Sequence, residues 1–241
     1  MWKANGSGFA ANIRFLALAA ALYKSNGTLY IEEDWYYKCS DLHAWPALFH
    51  GPTPLSFTPG TTPECSRKTF DNVRAEVELY KPGQWDVLEQ EGLSQVWHLA
   101  PFLRQASAKA LRELLHQPAP HIAFHVRGGD KFDEDQRGKR ASTYPEHLVA
   151  SFEAQHPTVQ GGTCILIGDD HKLINQTQDL VRRHLKCKVM LRGITSGSRH
   201  EQVEFNRLPL EDRCAATQRL IVDLEIMAQA EYFVGSPTSD R

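Results

Sequence analysis

The chain has 241 residues, 41% of them hydrophobic and 23% charged, with 27 basic and 29 acidic side chains for a net charge of −2. This is the composition of one or two globular domains, and it excludes wholesale disorder and a collagen-like rod. Near-neutral charge provides no bulk field for nucleic acid or an anionic membrane, so any anion site must be built locally. No stretch reaches the ~20 apolar residues of a membrane span. The opening Met1-Trp2-Lys3-Ala4-Asn5 is not a signal peptide. Either the protein is cytosolic or an N-terminal anchor lies outside this sequence.

Residues 4–12 read as a glycine-containing loop, and Ile13 to Lys24, rich in Ala and Leu, as a helix stopped by Ser25-Asn26-Gly27. Thr28 to Glu32 is a short β-prone strand. Pro46, Pro52, Pro54, Pro59 and Pro63 make residues 39–72 an irregular surface segment, with Cys39–Cys65 as a candidate clip. Leu99 to His116 carries apolar residues at helical spacing, and Gln117-Pro118-Ala119-Pro120 then reads as a hinge between domains 1–118 and 119–241. Beyond it, strand and helix alternate: strand His121–Val126, helix Tyr144–Gln155, strand Thr163–Ile167, helix Lys172–Leu185, strand Lys188–Leu191, helix Arg219–Ala230 and strand Glu231–Gly235. That alternation predicts a parallel α/β sheet. A Rossmann-like half continues into a further helix, so the second half reads as truncated at Arg241. The five cysteines form no Cys-x-x-Cys pair and no zinc-finger spacing, leaving buried thiols and one or two disulfides as equal readings. Three sequons, at Asn5, Asn26 and Asn175, lean toward a secretory compartment, although such tripeptides also arise by chance.

Chemistry concentrates at strand ends. His125-Val126-Arg127-Gly128-Gly129-Asp130-Lys131 closes a buried strand, where ligands of open α/β sheets sit. Two glycines let backbone approach an anion, and Arg127 and Lys131 supply positive charge, a combination that fits a diphosphate. The plainer reading is a strand-to-loop turn with a surface ion pair. Gly235-Ser236-Pro237-Thr238-Ser239 follows another strand and could hold phosphate oxygens or cap a helix. Asp223 lies inside the apolar run Leu220-Ile221-Val222-Asp223-Leu224 and needs a partner, either a guanine edge or Arg219 at i−4.

His-Val-Arg-x-x-Asp-Lys resembles the donor motif of the α1,6-fucosyltransferases that core-fucosylate N-glycans, with relatives among rhizobial chitin-oligosaccharide and protein O-fucosyltransferases. Further matches follow in order over roughly residues 4–241. They are the Gly6/Gly8 loop, Thr28-Leu29, Asp34-Trp35-Tyr36-Tyr37, Gly168-Asp169-Asp170, Asp223 before Ala228-Gln229-Ala230-Glu231-Tyr232-Phe233, and Thr238-Ser239. The resemblance implies a GT-B-like fold of two Rossmann-like halves. The first half would face the acceptor and the second the donor. The activity implied is inverting, metal-independent transfer of fucose from GDP-fucose to an N-glycan core in the Golgi lumen, without a cofactor and with a membrane anchor only outside this chain.

By position, Arg127 would grip the β-phosphate, and His125, largely through its backbone, and Asp223 would read guanine. Tyr37 would pack on the nucleotide, and Gly8, Thr238 and Ser239 would complete the donor site. The catalytic group would comprise Asp135 beside Glu134, with Lys131 and Arg127. Such chemistry needs a base for the acceptor hydroxyl and positive charge for the departing diphosphate. The sequence departs from the family at three positions. Gly128 replaces a second arginine, a loss that Arg137, Lys139 or Arg140 could offset. Asp135 replaces a longer glutamate, and Asp240 stands where an amide is usual. Three alternatives remain: a protein O-fucosyltransferase, a nucleotide-sugar-binding pseudoenzyme, and a metal-dependent transferase using Asp133-Glu134-Asp135. The last is disfavoured by the Lys131-Phe132 spacer.

Overall fold

The structure is a computed structural model that describes residues 9–23, 39, 48–49, 70–81, 83–128, 144–192 and 202–235. The predicted strand at 28–32, the Gly6/Gly8 loop and most of the proline-rich segment lie outside these residues. The chain divides into two compact units, Met1–Arg104 with Leu208–Gln218, and Gln105–Arg207 with Arg219–Arg241.

The first unit contains α1 (Phe9–Tyr23), α2 (Phe70–Tyr80), α3 (Trp85–Val96) and the start of α4 (Pro101–Leu115). Helix α1 starts at Phe9, four residues earlier than the sequence predicts, because Ala10 and Ala11 extend a helix as well as Ala19 or Ala20 does. Leu16, Ala17 and Leu18 are fully buried. Helix α3 meets α1 at Gly92, where a Cβ would lie 1.8 Å from the Ala17 carbonyl oxygen, so no larger residue fits. The Arg14–Glu89 ion pair at 2.8 Å joins the same two helices. The segment read as irregular and surface-crossing is neither throughout. Leu48 and Phe49 are buried, Phe49 bridges Leu99 in antiparallel fashion, and α2 begins at Phe70. Their side chains are apolar and have a place to be covered, and prolines elsewhere in the segment do not prevent this. Cys39 is bonded to Cys214 across 175 residues of sequence, so the predicted Cys39–Cys65 clip does not form. Proximity in sequence favoured the nearer cysteine, whereas the fold brings residue 214 to within 4.5 Å (Cα–Cα) of residue 39.

The second unit is built on four parallel strands, β1 (His121–Val126), β2 (Thr163–Gly168), β3 (Lys188–Arg192) and β4 (Tyr232–Gly235), in the order β3-β2-β1-β4. This is the predicted parallel α/β sheet. Between the strands run α5 (Pro145–Gln155), α6 (His171–His184), the short α7 (Gln202–Arg207) and α8 (Leu210–Met227). Pro145 opens α5 at its first turn, where its missing N–H costs nothing. Asp170 caps α6, its Oδ1 accepting from the Leu173 amide at 3.0 Å, and Arg182, Arg183 and His184 close the last turn in accord with the helix dipole.

Strand side chains alternate between the two faces. Ile122, Phe124 and Val126 of β1, with Cys164 and Leu166 of β2, join Phe152, Ile174 and Val181 in one core. The Cys164–Cys187 disulfide lies inside it. The opposite face carries Ala123, Ile165 and Ile167, and the Arg192–Asp223 contact brings α8 against it. Helix α8 is longer than predicted, its residues up to Gln218 belonging to the first unit and the rest to the second. Thr177 is fully buried and donates its hydroxyl to the Leu173 carbonyl at 2.8 Å. No described helix is long and apolar enough to cross a membrane.

Candidate functional site

Strand order identifies where a ligand belongs. The chain builds outward from β1 through β2 to β3, then returns to place β4 on the other side of β1. The connections therefore diverge between β1 and β4, and a crevice opens beyond the C-terminal ends of those strands. Register places Arg192, Ile167, His125 and Gly235 in one row across that end of the sheet, all on the same face. Two of the predicted site residues, His125 and Arg127, sit at the divergence itself.

The Arg127 side chain is 37% exposed, with Nε 3.8 Å from Asp169 Oδ2. That is an ion pair beyond hydrogen-bond distance, so among the described residues the guanidinium donates no hydrogen bond. The other carboxylate oxygen of Asp169 accepts from the Gly128 amide at 2.5 Å. Asp169, at the end of β2, thus holds both the loop backbone and the nearby charge. His125 is partly buried. Burial, and then the adjacent Arg127 charge, push its pKa below the ordinary histidine range, against a smaller upward pull from Asp169. Its imidazole is neutral at pH 7 and adds no charge to the crevice.

Gly128 is buried, and a Cβ there would lie 2.3 Å from Asp170 Cβ. A second arginine, which the resemblance would lead one to expect at this position, has no room there, because Asp170 occupies the space. A Gly128→Ala chain should lose about 1–3 kcal/mol of stability in chemical denaturation, the usual cost of forcing atoms into a packed site. A Gly128→Arg chain should lose at least as much without gaining affinity for GDP. Tighter GDP binding at unchanged stability would show that the space is open.

Asp223 stands apart from the Arg127 cluster, on α8. Its Oδ1 accepts from Arg192 Nε at 3.1 Å, and the Asp223 side chain is only 5% exposed. Burial pushes its carboxyl pKa up, opposed by the charge and hydrogen bond of Arg192 and by the charge of Arg219, and the burial effect wins. Of the two partners weighed in the sequence, Arg219 contributes only its field. The hydrogen-bond donor is Arg192, which sequence reasoning passed over. Its one signal was a basic residue at the C-terminal end of a predicted strand. Gly8, Tyr37, Lys131, Glu134, Asp135, Thr238 and Ser239 lie outside the described residues.

No family model and no curated protein sequence matches the chain. Solved structures do. The fucosyltransferase NodZ from Bradyrhizobium superposes with a TM-score of 0.56 at 15% identity, covering 96% of this chain and 85% of that one. Its selenomethionine form gives 0.55 at 13%, with the same coverage. NodZ alpha-1,6-fucosyltransferase soaked with GDP-fucose gives 0.56 at 14%, covering 99% of this chain and 87% of that one. The chain therefore has a mixed α/β fold, with a four-stranded parallel sheet, that is similar to the fold of fucosyltransferase NodZ.

Proposed function

We propose that this chain is an inverting glycosyltransferase that moves fucose from GDP-fucose to a glycan acceptor, α1,6 to the core GlcNAc of N-glycans. In this reading the fold is GT-B-like, with residues 1–118 on the acceptor side and 119–241 binding the donor. Likeness in fold to a fucosyltransferase that has been soaked with GDP-fucose supports it. The observation that carries it is Arg127. A half-exposed guanidinium, without a hydrogen bond among the described residues, stands where the strand order diverges. An arginine fork at that place, with hydrogen-bonding capacity beyond its loose ion pair to Asp169, suits a diphosphate.

The chemistry follows from charge. Asp135, with Glu134 beside it, takes the acceptor hydroxyl's proton as that oxygen attacks C1 of fucose. The bond from C1 to the β-phosphate oxygen breaks, and GDP leaves with its electron pair. Arg127, assisted by Lys131, stabilises the growing negative charge, and the sugar passes through an oxocarbenium-like state. A single displacement inverts the anomeric centre. His125 through its backbone, and Asp223, serve the guanine end, and Tyr37, Gly8, Thr238 and Ser239 complete the nucleotide site. Two disulfides suit an oxidising lumen such as the Golgi.

Turnover of GDP-fucose with agalacto N-glycans, in the presence of EDTA, tests the reading. Fucosylated product with an inverted anomeric centre is the expected result. Turnover abolished by EDTA and restored by manganese would point instead to a metal-dependent transferase. The closed space at Gly128 favours one second reading, a chain that binds the nucleotide sugar without turning it over. GDP binding with no product under every acceptor would favour that reading.

A further inference from the structure

Asp223 and Arg192 divide their roles unevenly. The carboxylate is enclosed, with its side chain 5% exposed, whereas the Arg192 side chain is 26% exposed. The contact between them uses the inner nitrogen of the guanidinium, Nε, at 3.1 Å. The two terminal amino groups of Arg192 donate to nothing among the described residues. A buried carboxylate therefore braces a partly exposed guanidinium through Nε, and the edge that bears the two terminal amino groups has no partner among the described residues.

That edge stands in the row of the sheet that contains His125. Arg192 pairs with Ile167, and Ile167 with His125. Two inter-strand spacings separate Arg192 from β1, about 10 Å. This is comparable to the reach from a purine to the β-phosphate of a nucleoside diphosphate. An arginine fork recognises two acceptors side by side, and guanine offers such a pair in O6 and N7. Adenine offers N7 beside a donor and fits such a fork poorly.

We propose that Arg192 contacts the base of the donor nucleotide through the O6/N7 acceptor edge of guanine, and that Asp223 is its positioning residue. The proposal rests on the reading of this sheet edge as the donor site. It makes guanine selection a property of a residue on β3, with the carboxylate acting through it. Arg192 and Arg219 are the charged groups that act on Asp223, the first from β3 and the second from its own helix.

Calorimetric titration of the intact chain with GDP, IDP, ADP and pyrophosphate tests this without a variant. IDP retains O6 and N7 and lacks only the 2-amino group. IDP should bind within about twofold of GDP, and ADP roughly tenfold or more weaker. GDP binding about tenfold tighter than IDP would mean that an acceptor reads the 2-amino group, and would overturn the proposal. Arg192→Lys retains the charge and loses the fork. It should weaken GDP about tenfold and leave pyrophosphate unchanged. An equal loss for pyrophosphate would place Arg192 at the phosphates or in the fold alone, and would overturn the proposal. A wild-type chain that binds pyrophosphate but treats GDP and ADP alike sinks Arg192 alone. One that binds neither pyrophosphate nor GDP sinks the donor-site reading and this inference with it.

Discussion

A chain carrying Arg127→Ala should bind GDP about a hundredfold more weakly than the wild type while unfolding at nearly the same temperature. A hydrogen bond to a charged group contributes about 1.5–3 kcal/mol, and each 1.4 kcal/mol is tenfold in affinity. A guanidinium that grips a phosphate through both terminal nitrogens therefore contributes about two decades. Its contribution to the fold is small, because the side chain is 37% exposed and 3.8 Å from Asp169. Open ion pairs of that kind contribute at most about 1 kcal/mol. Titration calorimetry and a thermal scan on one preparation separate the two effects. GDP affinity equal to wild type would show that the phosphates lie elsewhere and would remove the basis of the transferase reading. Loss of GDP binding together with a collapsed melting temperature would show a structural arginine instead.

Removal of the Cys39–Cys214 bridge should have the largest effect on stability. It closes a loop of 175 residues. The chain-entropy account assigns such a loop about 5 kcal/mol of stabilisation, a large share of the 5–15 kcal/mol typical of a whole domain. The double variant Cys39→Ser with Cys214→Ser should melt about 10 °C or more below the wild type. Reductant should shift the wild type in the same direction and leave the variant's first-unit transition alone. A double variant as stable as the wild type would show that the bridge contributes nothing, and would remove the support that it lends to an oxidising compartment.

The second unit was largely legible in the sequence. His121–Val126 and Thr163–Gly168 are short apolar runs bounded by proline and glycine, and alternation with amphipathic segments such as His171–His184 admits little but a parallel sheet. The first unit was less so. Helices Phe70–Tyr80 and Trp85–Val96 were not singled out, because charged and polar residues interrupt their apolar positions. Among the described side chains, Val73 and Val77 of the first helix and Leu88 and Val96 of the second are buried.

The placement of His125 and Arg127 at the C-terminal end of a parallel strand was legible, because position at the end of a strand is itself information. The partner of Asp223 was not. Arg219 is its neighbour along the helix, but Arg192 lies 31 residues earlier and reaches it only through the register of β3 on β2. Disulfide pairing was illegible for the same reason, since Cys214 finds Cys39 through the fold and not through spacing.

The packing of Gly128 against Asp170 also constrains how this loop can change by mutation. Asp170 serves two functions at once, terminating α6 through the Leu173 amide and filling the space where a side chain at 128 would go. Introducing an arginine at 128 requires residue 170 to shrink first, and that first step weakens a helix before any gain in charge exists. The order of substitutions matters, and the intermediate is the less fit. A second cation for the proposed diphosphate site is therefore easier to supply from another part of the chain than at position 128, so it is to be sought among residues remote in sequence.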